Sequence, residues 1–336
     1  MVVNVIRGTL VESVHAIAAC AVDAAGRTAL ACGDVDVPIY VRSAAKPFIA
    51  AEIVASGAAQ RFGFGDRELA VIAASHSGEP FHVECVREIL TRIGLPESAL
   101  QCGPHPPAYE AAAAALAASG ARPSAIHNNC SGKHAGILAM CVHLGFDPGG
   151  YLGPEHPVQR RILGFCARMV DEDVARLPIG VDGCGIPVFA TPLRNVARAY
   201  ARLATLEGLA ADDAAALERV RAAMAAQPRY VAGTGRLDTA LMEATGSRII
   251  CKAGAEGVHG DALRREGLGL ALKVVDGARR AAAPAVIALL EELGALEPGE
   301  AEQLREFAVP GVLNVAGRAV GRIEAARETI ATGGAW

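Results

Sequence analysis

Residues 15–41, HAIAACAVDAAGRTALACGDVDVPIYV, decide the fold. Two runs of small and β-forming residues, HAIAACAVD and RTALAC, are parted by a short polar break that ends on Gly26. Apolar runs interrupted by such a turn read as an antiparallel hairpin or meander. At the other end of the chain, residues 312–325, VLNVAGRAVGRIEA, read as a second hairpin with Gly317 at its bend. Between the two, apolar residues recur at helical spacing over 47–57, 66–75, 80–94 and 109–120, and again over 191–207, 210–224, 267–280 and 284–293. Residues 248–252 form a short β-like run into the turn AGAEG, so Lys252 is expected to leave a strand end. Strands at both termini around a helical middle predict an α/β (α+β) protein, with an antiparallel sheet built from both termini and packed on helices. We expect one domain over 1–336, its middle forming a helical subdomain. No internal repeat is visible, and the Gly/Pro-rich stretch 146–157 is the only seam.

The composition narrows the partners. With 336 residues and 52% hydrophobic content the chain can bury a sizeable core, and only 4% aromatic residues means that aliphatic side chains must fill it. A formal net charge of −4 with no clustered basic run offers no footprint for nucleic acid or an anionic membrane. No apolar stretch is long enough to span a bilayer, and the first residues lack the basic and apolar regions of an export signal. The nine cysteines are scattered without a C-x-x-C pair, which fits reduced thiols in the cytoplasm. A small-molecule partner follows.

Lysine is scarce: of 32 basic residues only Lys46, Lys133, Lys252 and Lys273 are lysines. Arginine serves where a cation suffices, but only lysine can lose its proton near neutral pH. Three of the four fall in polar motifs, while Lys273, in ALKVVDGARR, reads as a solvated cation at a helix end. In VRSAAKPFIA, Ser43 and Lys46 stand in S-x-x-K spacing, with Pro47 fixing the pair at a helix start. Residues three apart there project to one side, and a neutral lysine can take the proton of a serine nucleophile. The same spacing also arises by accident. VIAASHSGEP sets Ser75 after an apolar run, where a catalytic loop and an ordinary helix cap look alike. IHNNCSGKHAG crowds Cys130, Lys133 and His134 between a β-like run and an amphipathic helix, a start that could bind a carboxylate. Cys130 with Lys133 or His134 also has the spacing of a metal pair, to which Cys184 in GVDGCGIPVF could add a ligand beside Asp182.

RGTLVESVH, RSAAKPF, ASHSGEP, HNNCSGKHAG, GVDGCGIPVFATPL, VAGTGRLD, KAGAEGV and ALKVVDGARRA occur in this order. Together they resemble the class 3, Rhizobium etli type, asparaginases, over a span from about Arg7 to Gly321. The resemblance implies a fold similar to serine β-lactamases and glutaminases, and hydrolysis of L-asparagine by two serine–lysine pairs, Ser43 with Lys46 and Ser75 with Lys252. It implies Arg42 as a neighbouring active-site residue and a zinc ion on Cys130, Lys133 and Cys184 that aids substrate affinity rather than the chemistry. Arg42, His134 and Asp182 are the residues we expect around the substrate. A homodimer is implied as well. One departure stands out: Ile49 occupies a position where a glutamine is expected. A glutaminase or another serine amidohydrolase of the same fold, or a non-catalytic zinc-binding regulator, would retain many of these features.

Overall fold

The computed structural model describes residues 1–326. The chain divides into two compact units, one of residues 1–44, 191–208 and 240 onward, the other of 45–190 and 209–239.

The first unit is built on strands β1 (Val2–Arg7), β2 (Leu10–Asp23) and β3 (Thr28–Cys32), with β4 (Pro38–Tyr40) following. The second contributes β5 (Ile179–Val181) and β6 (Pro187–Pro192), paired antiparallel with Val181 opposite Pro187. The first unit resumes with β7 (Ile249–Ala253), β8 (Val258–Leu263), β9 (Leu268–Val274), β10 (Gly311–Leu313) and β11 (Ala319–Ala326). Its antiparallel sheet runs β10-β11-β1-β2-β9-β8-β7, with β3 also on β2. The two termini meet in it, Val3 lying opposite Ala325. Both expected hairpins form, Gly317 closing the second through its N–H to Asn314 O at 2.9 Å.

In the second unit the helices are α1 (Lys46–Ala55), α2 (Ala58–Arg61), α3 (Asp66–Ile72), α4 (Pro80–Arg92), α5 (Glu110–Ala118), α6 (Ser131–Leu144) and α7 (Pro157–Val170). There follow α8 (Leu193–Thr205) in the first unit, then α9 (Ala211–Ala226), α10 (Pro228–Val231), α11 (Leu237–Ala244) and α12 (Ala282–Glu292). Helix α8 packs on β2, β8 and β9, and α12 on β1, β8, β9 and β11. A central strand covered on both faces needs apolar residues at every position. That is why β2 ends in IAACAV, buried throughout. Helix α8 also sits unusually close: a Cβ on Gly269 would lie 2.0 Å from Ala197 O and 2.1 Å from Ala201 N, so no other residue fits there without moving the helix. In the second unit α1 packs on α6, α7 and α9, and α6 on α3 and α4.

Three expectations are corrected. Residues 268–274, expected within a helix, form β9, whose burial on both faces removed the alternation that marks a strand. Lys273 therefore lies on β9 opposite Ala18, half-buried, donating to Glu256 O at 2.7 Å and to Val274 O. The run before Cys130 is a 3-10 turn, Ala125–His127, and α6 is buried from Ser131 to Cys141 instead of presenting a polar face. The 146–157 stretch lies within the second unit and divides nothing.

Candidate active site

In the second unit the chemistry gathers at helix starts and the loops between them. Lys46 opens α1 with Pro47 behind it, and its side chain is 1% exposed. Its Nζ donates to Ala74 O at 2.5 Å and to Ser75 Oγ at 3.0 Å. Burial lowers the ammonium's pKa, aided by the charge of Lys133 and opposed by Cys130. Lys46 thus bonds the serine assigned above to the other pair, so the two expected pairs are not independent. Ser75 leaves the end of α3 on a loop held by backbone bonds, its own N–H to Val231 O at 3.1 Å and that of His76 to Asn129 O at 3.2 Å.

His76 is fully buried and ties this loop to α6. Its Nδ1 accepts from Gly78 N at 3.2 Å, so Nε2 carries the proton and donates to Ser131 Oγ at 2.9 Å. Ser131 Oγ in turn donates to Ile126 O at 2.8 Å. Burial, first of all, holds the imidazole neutral, with its pKa well below the ordinary range.

Cys130 precedes that helix, its N–H on Asn128 Oδ1 at 2.8 Å, while Asn128 Nδ2 is fixed on Cys102 O and Gly103 O. One turn on, Lys133 donates from Nζ to Cys184 Sγ at 2.8 Å. Cys184 reaches it from the tight turn after β5, closed by Gly185 N to Asp182 O and Asp182 N to Ile186 O. A hydrogen bond from Cys184 brings the Cys130 thiol far below its ordinary range, and the same bond pushes Cys184 up. Of the two thiols, Cys130 is thus the more readily ionised. Burial pulls the Lys133 ammonium down, but the fields of Cys130 and Cys184 outweigh it and its pKa is raised. Asp182 adds to that field and accepts from Gly183 N at 2.8 Å.

His134 lies beside Lys133 with no exposure. Its Nδ1 is hydrogen-bonded with the Tyr151 hydroxyl at 2.6 Å, and that hydroxyl also accepts from Gln101 N at 3.0 Å. Its Nε2 is buried without a hydrogen-bond partner among the described residues. Burial, then Lys133 and Lys46, hold the ring neutral.

The first unit holds Arg42, Ser43 and Lys252. Arg42 begins the 3-10 turn Arg42–Ala45 at φ +53°, a conformation a side chain rarely adopts, and it lines a cavity of about 650 Å³ together with Tyr40, Glu256 and Lys273. Lys252, fully buried on β7 opposite Gly260, donates to Ala253 O at 2.7 Å. The strand end and the serine turn run side by side: a Cβ on Gly254 would stand 3.3 Å from Val41 O and 3.4 Å from Ala44 N. The Tyr200 hydroxyl, from α8, donates to Ala44 O at 2.8 Å and anchors the turn.

The chain from β1 to β11, with the ordered motifs inside it, is matched as a whole by the L-asparaginase II family, over residues 3–325. The chain belongs to the L-asparaginase II family. This L-asparaginase II family member is accordingly an amidohydrolase of asparaginase type, with a small-molecule substrate. No curated protein matches the chain. Solved structures of Mglu resemble it loosely: one at 14% identity and TM-score 0.38, covering 83% of this chain and 67% of that one, and the native form at 13% and 0.38, covering 84% and 66%. The L-glutamate binding form in concentrated salt matches at 14% and 0.39, with 83% and 59% covered. This chain therefore spans about three fifths to two thirds of the length of those proteins. A likeness so loose carries no functional argument. Among the described residues no helix is long and apolar enough to cross a membrane.

Sequence reasoning missed Tyr151, Asn128 and the His76–Ser131 link. Tyr151 stood in the stretch read as a seam; it is one of two fully buried tyrosines among the chain's five, which burial shows and the sequence does not.

Proposed function

We propose that the chain is a class 3 L-asparaginase that hydrolyses the side-chain amide of L-asparagine to L-aspartate and ammonia through serine–lysine chemistry. The observation that carries this reading is the buried Lys46, with lowered pKa, donating to Ser75 Oγ at 3.0 Å within a chain of this family. A lowered pKa raises the neutral fraction of a lysine, and the neutral amine can take a serine proton.

Ser43 attacks the amide carbon as Lys46 takes its proton. The tetrahedral intermediate collapses, the proton passes to the leaving nitrogen, and ammonia departs. Water, deprotonated in the same way, then releases aspartate from the acyl-serine. Ser75, bonded to Lys46, and Lys252 relay the proton and orient the base. Arg42, His134 and Asp182 hold the substrate's polar groups. Anchored at its α-amino and α-carboxyl groups, glutamine would carry its amide one methylene too far, so asparagine is the preferred substrate.

Two thiols of unequal acidity, with a lysine amine 2.8 Å from one of them, are a nitrogen and sulfur donor set that suits zinc. Cys130, Lys133 and Cys184 would hold it, and zinc would supply substrate affinity there. Lys133 must bind such an ion as the neutral amine, so the ion would replace the ammonium as the charge partner of the sulfurs. We further propose a cytoplasmic homodimer acting as a single catalytic domain, supported by the family resemblance and by nine buried free cysteines.

The test is ammonia release from L-asparagine, L-glutamine and a blank. Asparagine turnover with glutamine much poorer is expected. Equal turnover of the two amides overturns the substrate assignment, and release from neither overturns the enzyme.

A further inference from the structure

The loop that carries Ser75 is laced along its length to a second loop of the same unit, residues 231–236. Ser75 N–H donates to Val231 O at 3.1 Å, and Ser77 Oγ donates to Ala232 O at 2.9 Å. Glu79 then takes two bonds from one residue, Thr234 N on Oε1 at 2.8 Å and Thr234 Oγ1 on Oε2 at 2.8 Å. Arg229 Nη2 donates to the same Thr234 hydroxyl at 3.1 Å, which leaves its hydrogen for the carboxylate. Gly233, at φ +119°, lies between these contacts: a Cβ there would stand 2.5 Å from Glu79 Oε1 and 2.8 Å from Ser77 Oγ. Its N–H is held by Thr239 Oγ1 at 3.2 Å.

A carboxylate 4% exposed is a costly way to fill a loop, and the nearest cation, Arg229, stays 3.9 Å from it and more than half exposed. What the carboxylate achieves is a fixed distance. It is the outermost of three successive ties, at residues 75, 77 and 79, and the innermost holds the backbone of the serine bonded to Lys46.

We infer that Glu79 is a positioning residue: by clasping Thr234 it holds the 231–236 loop against the 75–79 loop and so sets the Ser75 hydroxyl at Lys46. This rests on the reading of Ser75 and Lys46 as catalytic. The clasp is side chains bonded to one another and to backbone, and its expected effect is on the reacting geometry rather than on binding. Displacement of a reacting group by about 1 Å costs on the order of 10²-fold in rate.

The experiment measures kcat and KM for asparagine, with the folded fraction from circular dichroism, in Glu79→Ala, Glu79→Gln, Thr234→Val, Gly233→Ala and Ser75→Ala. Glu79→Ala and Gly233→Ala should lower kcat per folded molecule by about 10²-fold with KM within about twofold. Thr234→Val, which loses one of the two bonds, should fall in between and serves where the others fold poorly. Glu79→Gln should recover most of the rate, since its oxygen can stay on Thr234 N while its NH₂ turns to Thr234 Oγ1. A Glu79→Ala kcat equal to wild type, a loss that merely tracks the folded fraction, or Glu79→Gln as impaired as Glu79→Ala overturns the inference. An active Ser75→Ala overturns the catalytic reading beneath it, whereas an inactive Ser75→Ala beside a fully active Glu79→Ala removes the clasp alone.

Discussion

The starts of α1 and α6 each bury a lysine at 1% exposure, and the two ammonium groups are driven in opposite directions. Lys46 bonds a serine hydroxyl and a carbonyl, and burial lowers its pKa. Lys133 bonds a cysteine sulfur, and the fields of Cys130 and Cys184 overcome burial and raise it. Depth therefore does not decide whether a lysine is a base or a fixed cation. The balance with the anionic neighbours decides: Cys130 and Cys184 only partly offset burial at Lys46 but outweigh it at Lys133, where Cys184 Sγ is 2.8 Å away.

The comparison breaks most sharply at Lys46. Arginine stays charged at any working pH and cannot serve as a base, so Lys46→Arg should lose about 10²–10⁴-fold in kcat while its circular dichroism is unchanged. Near-normal turnover in that variant would make Lys46 a cation like Lys133 and remove the proton-transfer mechanism. Lys252→Arg tests the second lysine in the same assay and should fail with it.

A buried base whose anionic neighbours do not offset burial should behave as Lys46 does, and His82 allows that to be read as stability. It is fully buried, Nε2 donating to Arg229 O at 2.9 Å, and burial brings its pKa from 6.5 to about 4. Between those values the unfolded chain binds the proton and the folded one does not, so stability is full above about pH 6.5 and falls as pH drops towards 4. The loss should reach about 3 kcal/mol, and urea midpoints across that window should show a slope that His82→Gln flattens. An unchanged slope in His82→Gln assigns the acid sensitivity elsewhere.

At Lys133 arginine would keep the charge and lose the metal. Lys133→Arg and Cys184→Ala should each abolish zinc content, measured by metal analysis of protein prepared without chelator, and weaken substrate affinity by about 10–100-fold, with the fold intact. Stoichiometric zinc in Lys133→Arg would exclude Lys133 as a ligand. The smallest effect belongs to Lys273→Arg, whose half-buried cation rests on two backbone carbonyls near the end of β9. Its turnover should stay within about twofold of wild type, consistent with a surface substitution.

The sheet was legible at the two termini because a turn between apolar runs can be read locally, and the long helices because their spacing repeats. β9 was not legible. LGLALKV is covered on both faces, and a strand apolar at every position has no alternation to distinguish it from a buried helix. Lys273 was misplaced with it. In the site, the residue types could be read from lysine scarcity and crowded polar motifs, but not the partners. S-x-x-K spacing suggests Ser43 for Lys46, while the bond from Lys46 to Ser75 spans 29 positions and that from Lys133 to Cys184 spans 51. Such contacts arise where the starts of α1 and α6 meet the loop after α3 and the turn after β5, which no local pattern encodes.

The burial of lysine also governs how the protein can be handled chemically. Reagents that acylate or alkylate amines need an accessible, unprotonated nitrogen, and Lys46, Lys133 and Lys252 are at most 1% exposed. Among side-chain amines, labelling, cross-linking or capture on an activated support is left with Lys273 on β9. A surface coupled through that one amine would carry the molecules in a common orientation, with their reactive lysines unmodified.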